Sequence, residues 1–142
     1  MDDDAEVVRL ANEAFYRAFR ARSYPAMEAI WAKEAPVACM HPGMDVILGR
    51  AEVLKSWRGI LAHEGAPKLF CARVEVRVLG TTAYVTCLEG TTGAPPALIA
   101  TNIYVREDDT WRLALHQAGP LTQKSRLEPL PAPPDPDPKV WN

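Results

Sequence analysis

At Lys68 the spacing of apolar residues along the chain changes, and that change limits what each half can become. Before it, apolar positions recur every three or four residues, the rhythm of helices with one buried stripe. After it they alternate: Val74, Val76 and Val78 stand between Arg73, Glu75 and Arg77, as in a half-exposed strand. Gly80-Thr81 makes a tight turn, and Ala83, Val85 and Cys87 alternate with Tyr84, Thr86 and Leu88 on the return. Pairing across that turn sets Val78 near Ala83, Val76 near Val85 and Val74 near Cys87 on one apolar face. Helices followed by consecutive antiparallel strands predict an α+β domain, one layer covering the other.

The helical half divides into three. Asp3 and Glu6 resemble a capping box at the head of the first helix, whose stripe is Val7, Leu10/Ala11, Ala14/Phe15 and Ala18/Phe19. Ser23 and Pro25 suit the first turn of a short second helix through Met27, Ile30 and Trp31, stopped at Glu34-Ala35-Pro36. Val37 to Met40 reads as a short strand that delivers His41 to the turn at Pro42-Gly43. A loop leads to a third helix from Gly49 to about Ala62, with Val53, Leu54, Trp57, Ile60 and Leu61 on its apolar side. In the strand half, Leu98 to Arg106 and Trp111 to Ala118 flank an Asp108-Asp109 turn.

Residues 1–123 are thus expected to form the folded domain. Residues 124–142 differ in kind: Pro129, Pro131, Pro133, Pro134, Pro136 and Pro138 favour extended polyproline geometry. Such a segment is either a disordered tail or an arm anchored by Val140 and Trp141 on the domain or on a partner.

Bulk properties exclude several functions. A net charge of -2 with scattered basic residues argues against binding nucleic acid, which draws on clustered Lys and Arg. No apolar run is long enough to suggest a membrane span. The acidic start Met1-Asp2-Asp3-Asp4 is unlike a signal peptide. Three cysteines without C-x-x-C spacing point to a reducing compartment and buried, inert thiols, so a cytoplasmic protein is expected.

Four stretches together resemble the SnoaL-like branch of the nuclear transport factor 2-like superfamily, relatives of ketosteroid isomerase, scytalone dehydratase and polyketide cyclases. They are His41-Pro42-Gly43, Gly49-Arg50-Ala51-Glu52-Val53-Leu54-Lys55-Ser56-Trp57, Thr101-Asn102-Ile103-Tyr104-Val105, and Trp111-Arg112-Leu113 leading to His116-Gln117-Ala118. The resemblance implies a cone-like fold, with three N-terminal helices on a strongly curved antiparallel sheet around an internal pocket. It also implies a homodimer through the outer sheet face, here Tyr84, Thr86, Leu88, Ile99, Thr101, Ile103 and Val105.

The same resemblance singles out residues. His41-Pro42 stands where ketosteroid isomerases carry an Asp-Pro with the general base, and histidine suits proton transfer. His41 either acts so or only hydrogen-bonds the loop after it, and Asp45 can partner it only if that loop folds back. Asn102 is the best inward polar group, able to orient a carbonyl or hydroxyl or to satisfy the backbone. His116 is the third candidate; simple pairing across Asp108-Asp109 sets it opposite Thr101, facing out, unless a bulge reverses it. Phe15, Phe19, Trp31, Trp57, Val85, Tyr104 and Leu113 are the expected walls of a ligand pocket. The tyrosine that isomerases carry on the first helix maps to Phe15, with Tyr16 turned elsewhere. Cys39, His41 and Asp45 match no metal-ligand spacing, and neither metal nor cofactor is expected. The functions open to such a chain are binding of a small apolar or carbonyl compound, cofactor-independent isomerisation, dehydration or cyclisation with His41 as acid/base, and protein assembly.

Overall fold

A computed structural model describes residues 2–123, so the expectations for the Pro-rich segment lie outside the described residues. Helix α1 spans Asp2–Arg20, α2 Tyr24–Ile30 and α3 Arg50–Ala62. The strands are β1 Ala38–Met40, β2 Ile47–Leu48, β3 Phe70–Leu79, β4 Thr82–Gly90, β5 Leu98–Glu107 and β6 Thr110–Pro120. The expected α+β architecture is present: three helices pack on one curved sheet.

The helix ends follow their local chemistry. Asp3 lies inside α1, which begins at Asp2, so it does not stand ahead of the helix as a capping box requires. Ser23 caps α2, its Oγ accepting from Ala26 N at 3.2 Å, with Pro25 in the first turn. Arg50 holds the other end, donating to the carbonyls of Trp31 and Ala32 at 2.8 and 3.0 Å. Glu107 gathers the N–H groups of Lys33, Glu34 and Ala35 at 2.7–2.9 Å, fixing the turn that leads into β1.

The sheet order is β2-β1-β6-β5-β4-β3. It is mixed rather than purely antiparallel, because β1 pairs parallel with β6 through Ala38–Leu115, Cys39–His116 and Met40–Gln117. The two-residue β2, expected as loop, pairs antiparallel with β1 at the sheet edge. Val76–Val85 and Val78–Ala83 pair as their alternation requires. Beyond them the register shifts between Ala72 and Glu75, where Arg73 takes a φ of 52° and two residues face Cys87.

A second register shift lies in β6. Ile103 pairs with Leu115 and Tyr104 with Leu113, leaving Ala114 without a partner. His116 therefore stands opposite Asn102 rather than Thr101, and its side chain turns inward, 3% exposed. On the outer face Tyr84 and Ile99 are 38% and 46% exposed. Leu88, expected there, is buried, because alternation ends near the β3 bulge and Cys87 to Gly90 are all enclosed. Among the described residues no helix is long and apolar enough to cross a membrane.

Candidate functional site

Two hydrogen-bonded groups flank a wall of aromatic rings. The outer one is His41, at the end of β1, 8% exposed. Its Nε2 is 2.7 Å from Ser56 Oγ, one residue before Trp57 on α3. The Cys39 sulfur lies 3.7 Å from the same nitrogen, and the His41 ring meets the Trp57 ring edge-on, centroids 5.0 Å apart. Burial lowers the His41 pKa, so the imidazole is neutral at pH 7. The proton sits on Nε2 if Ser56 accepts and on Nδ1 if Ser56 donates. Asp45 is not its partner: the carboxylate accepts from Val46 N at 2.7 Å within its own exposed loop.

His41 and Ser56 line a cavity of about 770 Å³ between α3 and the loop after β1, with Met44, Ile47, Ile60 and Pro67 as apolar wall. Glu52, Lys55 and His63 add polar groups to the lining. Of the site residues expected from sequence, His41 is the one that lines it.

The others lie deeper. Phe15, Trp31, Trp57, Val85, Tyr104 and Leu113 are fully buried and Phe19 is 8% exposed, all within one core cluster. Phe15 packs edge-on against Trp57 and Tyr16 at 5.4 and 4.9 Å. These side chains close the interior against itself instead of lining the described cavity.

Behind this wall is the inner group. His116 Nδ1 is 2.6 Å from Asn102 Oδ1, while Asn102 Nδ2 donates to Asn12 Oδ1 at 2.8 Å and to the Tyr16 hydroxyl at 3.3 Å. Because the amide oxygen faces the ring, His116 carries its proton on Nδ1. Tyr104 also donates to Asn12 Oδ1, at 3.0 Å. The Tyr16 hydroxyl donates to Glu89 Oε2 at 2.5 Å. Burial, and then the nearby His41, lowers the His116 pKa to about 3, so it too is neutral. Burial raises Glu89, with the Tyr16 hydrogen bond opposing, and Tyr16 itself is raised by burial and the Glu89 charge.

Tyr16, Glu89, Asn12 and Ser56 are not among the site residues expected from sequence. Glu89 was within reach, since it continues the inward series Ala83, Val85, Cys87. Tyr16 was misplaced because the sheet wraps α1 widely enough to bury both Phe15 and Tyr16. Nothing in the sequence marks Ser56 as facing His41. Among the described residues no group of His, Cys, Asp or Glu side chains is gathered for a metal ion.

The SnoaL-like domain family matches residues 8–122. A Streptomyces avermitilis structure provisionally called a dehydratase of the NTF2-like family is 37% identical, with a TM-score of 0.75, covering 84% of this chain and 97% of that one. A Thiobacillus denitrificans structure, provisionally called a calcium/calmodulin-dependent protein kinase type II association domain, is 36% identical with a TM-score of 0.66, covering 79% and 93%. The F-box protein SKIP8 of Arabidopsis thaliana is 26% identical over 109 residues, 75% of this chain and 46% of that protein. The chain thus spans about half the length of the curated relative it matches.

Proposed function

Because the chain belongs to the SnoaL-like domain family, we propose that it binds a small apolar carbonyl compound in the cavity beside His41 and moves a proton at the carbon next to the carbonyl. The observation that carries this reading is a neutral imidazole, held by Ser56 at 2.7 Å, on the wall of a cavity with a largely aliphatic lining. A neutral histidine can take a proton at pH 7, and a fixed ring loses little freedom on doing so. The 37% identity to a relative provisionally called a dehydratase supports the same class, since dehydration next to a carbonyl begins with that proton. No cofactor is needed for such a step.

The test is native mass spectrometry for retained ligand, followed by a panel of apolar ketones and β-hydroxyketones in deuterated water. The wild type is expected to exchange α-hydrogens, and His41→Ala to lose about 100-fold or more of the rate while still binding. As the His41 pKa lies below its ordinary value, the rate should hold as pH falls through 6.5 and drop only below it. Binding without exchange by the wild type would leave a carrier and remove the catalytic half of the proposal.

A second reading, self-assembly, is favoured by the 36% identical relative called an association domain and by Tyr84 and Ile99 on the open sheet face. It is compatible with the first, since none of the outer-face residues lines the cavity.

A further inference from the structure

One face of α3 forms the floor of the cavity beside His41. Ser56, Gly59, Ile60 and His63 follow one another at helical spacing, and all four line it. Ser56 holds His41 at one end. His63 caps the helix two turns on, about 10 Å further along the axis. Met44, Ile47, Ala66 and Pro67 complete the lining as apolar wall.

Two details of this floor serve a ligand better than they serve the fold. Gly59 stands inside a helix, where glycine is less stable than alanine. A Cβ there would meet nothing within 4 Å, so packing does not call for the small residue. Its bare backbone leaves the middle of the floor open. His63 lies at the exposed mouth, yet its ring is held: Gly65 N donates to its Nδ1 at 2.9 Å. With Nδ1 accepting, the ring proton sits on Nε2, which is thereby a donor that Gly65 does not engage. The hold depends on a glycine at Gly65, where a Cβ would come within 2.8 Å of His63 Cε1.

We propose, resting on the reading of this cavity as a carbonyl site, that its ligand is an elongated, ring-bearing ketone with a second oxygen at the far end. The reactive carbonyl lies at His41, the body lies over Gly59 and Ile60, and the far oxygen accepts a hydrogen bond from His63 Nε2. A ketone without the far oxygen leaves that donor to water and keeps the apolar contacts alone. A much shorter ketone reaches one histidine or the other.

Isothermal titration of the native full chain with para,para′-diacetylbiphenyl and para-acetylbiphenyl tests this, since the two differ only in the far acetyl group. The diketone should bind about tenfold tighter, the worth of one hydrogen bond. His63→Phe should bring the diketone down to the monoketone and leave the monoketone unchanged. His63→Gln should keep the preference, its amide oxygen taking the Gly65 N–H and its amide nitrogen the ligand. Gly59→Ala should raise the denaturant midpoint, and Gly59→Leu should weaken both ketones while staying folded by circular dichroism. Equal binding of the two ketones by the wild type would overturn the proposal and leave the carbonyl site standing. So would binding of the shorter ketones of the panel but of neither biphenyl, whereas binding of none would remove the carbonyl site as well. A His63→Phe protein that keeps the preference would remove His63 from the far end. A Gly59→Leu protein that binds both ketones as the wild type does would remove the floor.

Discussion

Glu107 and His116 each tie folding to acid. Glu107 ionisation is opposed by burial, but its three backbone N–H bonds and Arg112 outweigh that and hold its pKa below the usual carboxylate value. A depressed carboxyl stabilises above its unfolded pKa, and the contribution is lost as pH falls through the folded one. His116 is also depressed, to about 3, so the unfolded chain takes up its proton from about pH 6.5 downward while the folded chain does not. Denaturant midpoints should therefore begin to fall near pH 6.5, well above the carboxylate range. His116→Gln should flatten the upper part of that slope. Glu107→Gln should cost about 1–3 kcal/mol at pH 7, from weakened bonds to the turn, and nothing further in acid. Paired urea titrations from pH 4 to 8 check both.

At the scale of elements, what the sequence disclosed and what it hid divide along periodicity. α1, α3 and the β3–β4 hairpin were legible as elements because their apolar residues keep one period each, but the α1 stripe was set one residue off at its start: Val7 and Leu10 are 47% and 58% exposed, while Val8 and Asn12 are buried. The β6 bulge was not, because Leu113, Ala114 and Leu115 are apolar in succession and alternation carries no sign there. Arg73 likewise gives no warning of its left-handed backbone, as Gly or Asn would have done. The β6 irregularity decides where His116 points, whereas Asn102, Tyr104 and Cys87 face inward as their alternation requires. Gly49 shows the opposite case. Ahead of α3 it holds φ 88° and ψ 145°, a conformation nearly closed to other residues, yet a Cβ there would touch nothing. Gly49→Ala should thus cost on the order of 1–3 kcal/mol through backbone strain alone, read from the denaturant midpoint with an unchanged slope.

For the whole molecule, the outer sheet face is the surface feature that bears on assembly. Tyr84, Ile99 and the half-covered Thr86, Thr101, Ile103 and Val105 form one apolar patch, the face proposed to meet a second copy. Light scattering at micromolar concentration should give a dimer mass, and Ile99→Asp should halve it without lowering helix content; a wild-type monomer would end the assembly reading.

The parallel join of β1 to β6 has a consequence in time. β3 to β6 assemble through hairpins between chain neighbours, whereas β1 meets β6 only after nearly all the intervening chain is in place. Closing so long a loop on three residues of strand makes this the last seam to form and the first to part. Amide hydrogen exchange should accordingly be faster for Ala38 to Met40 than for the middle of β4 and β5. The histidine that faces the cavity is carried on that seam, so its neighbourhood can breathe while the meander stays shut.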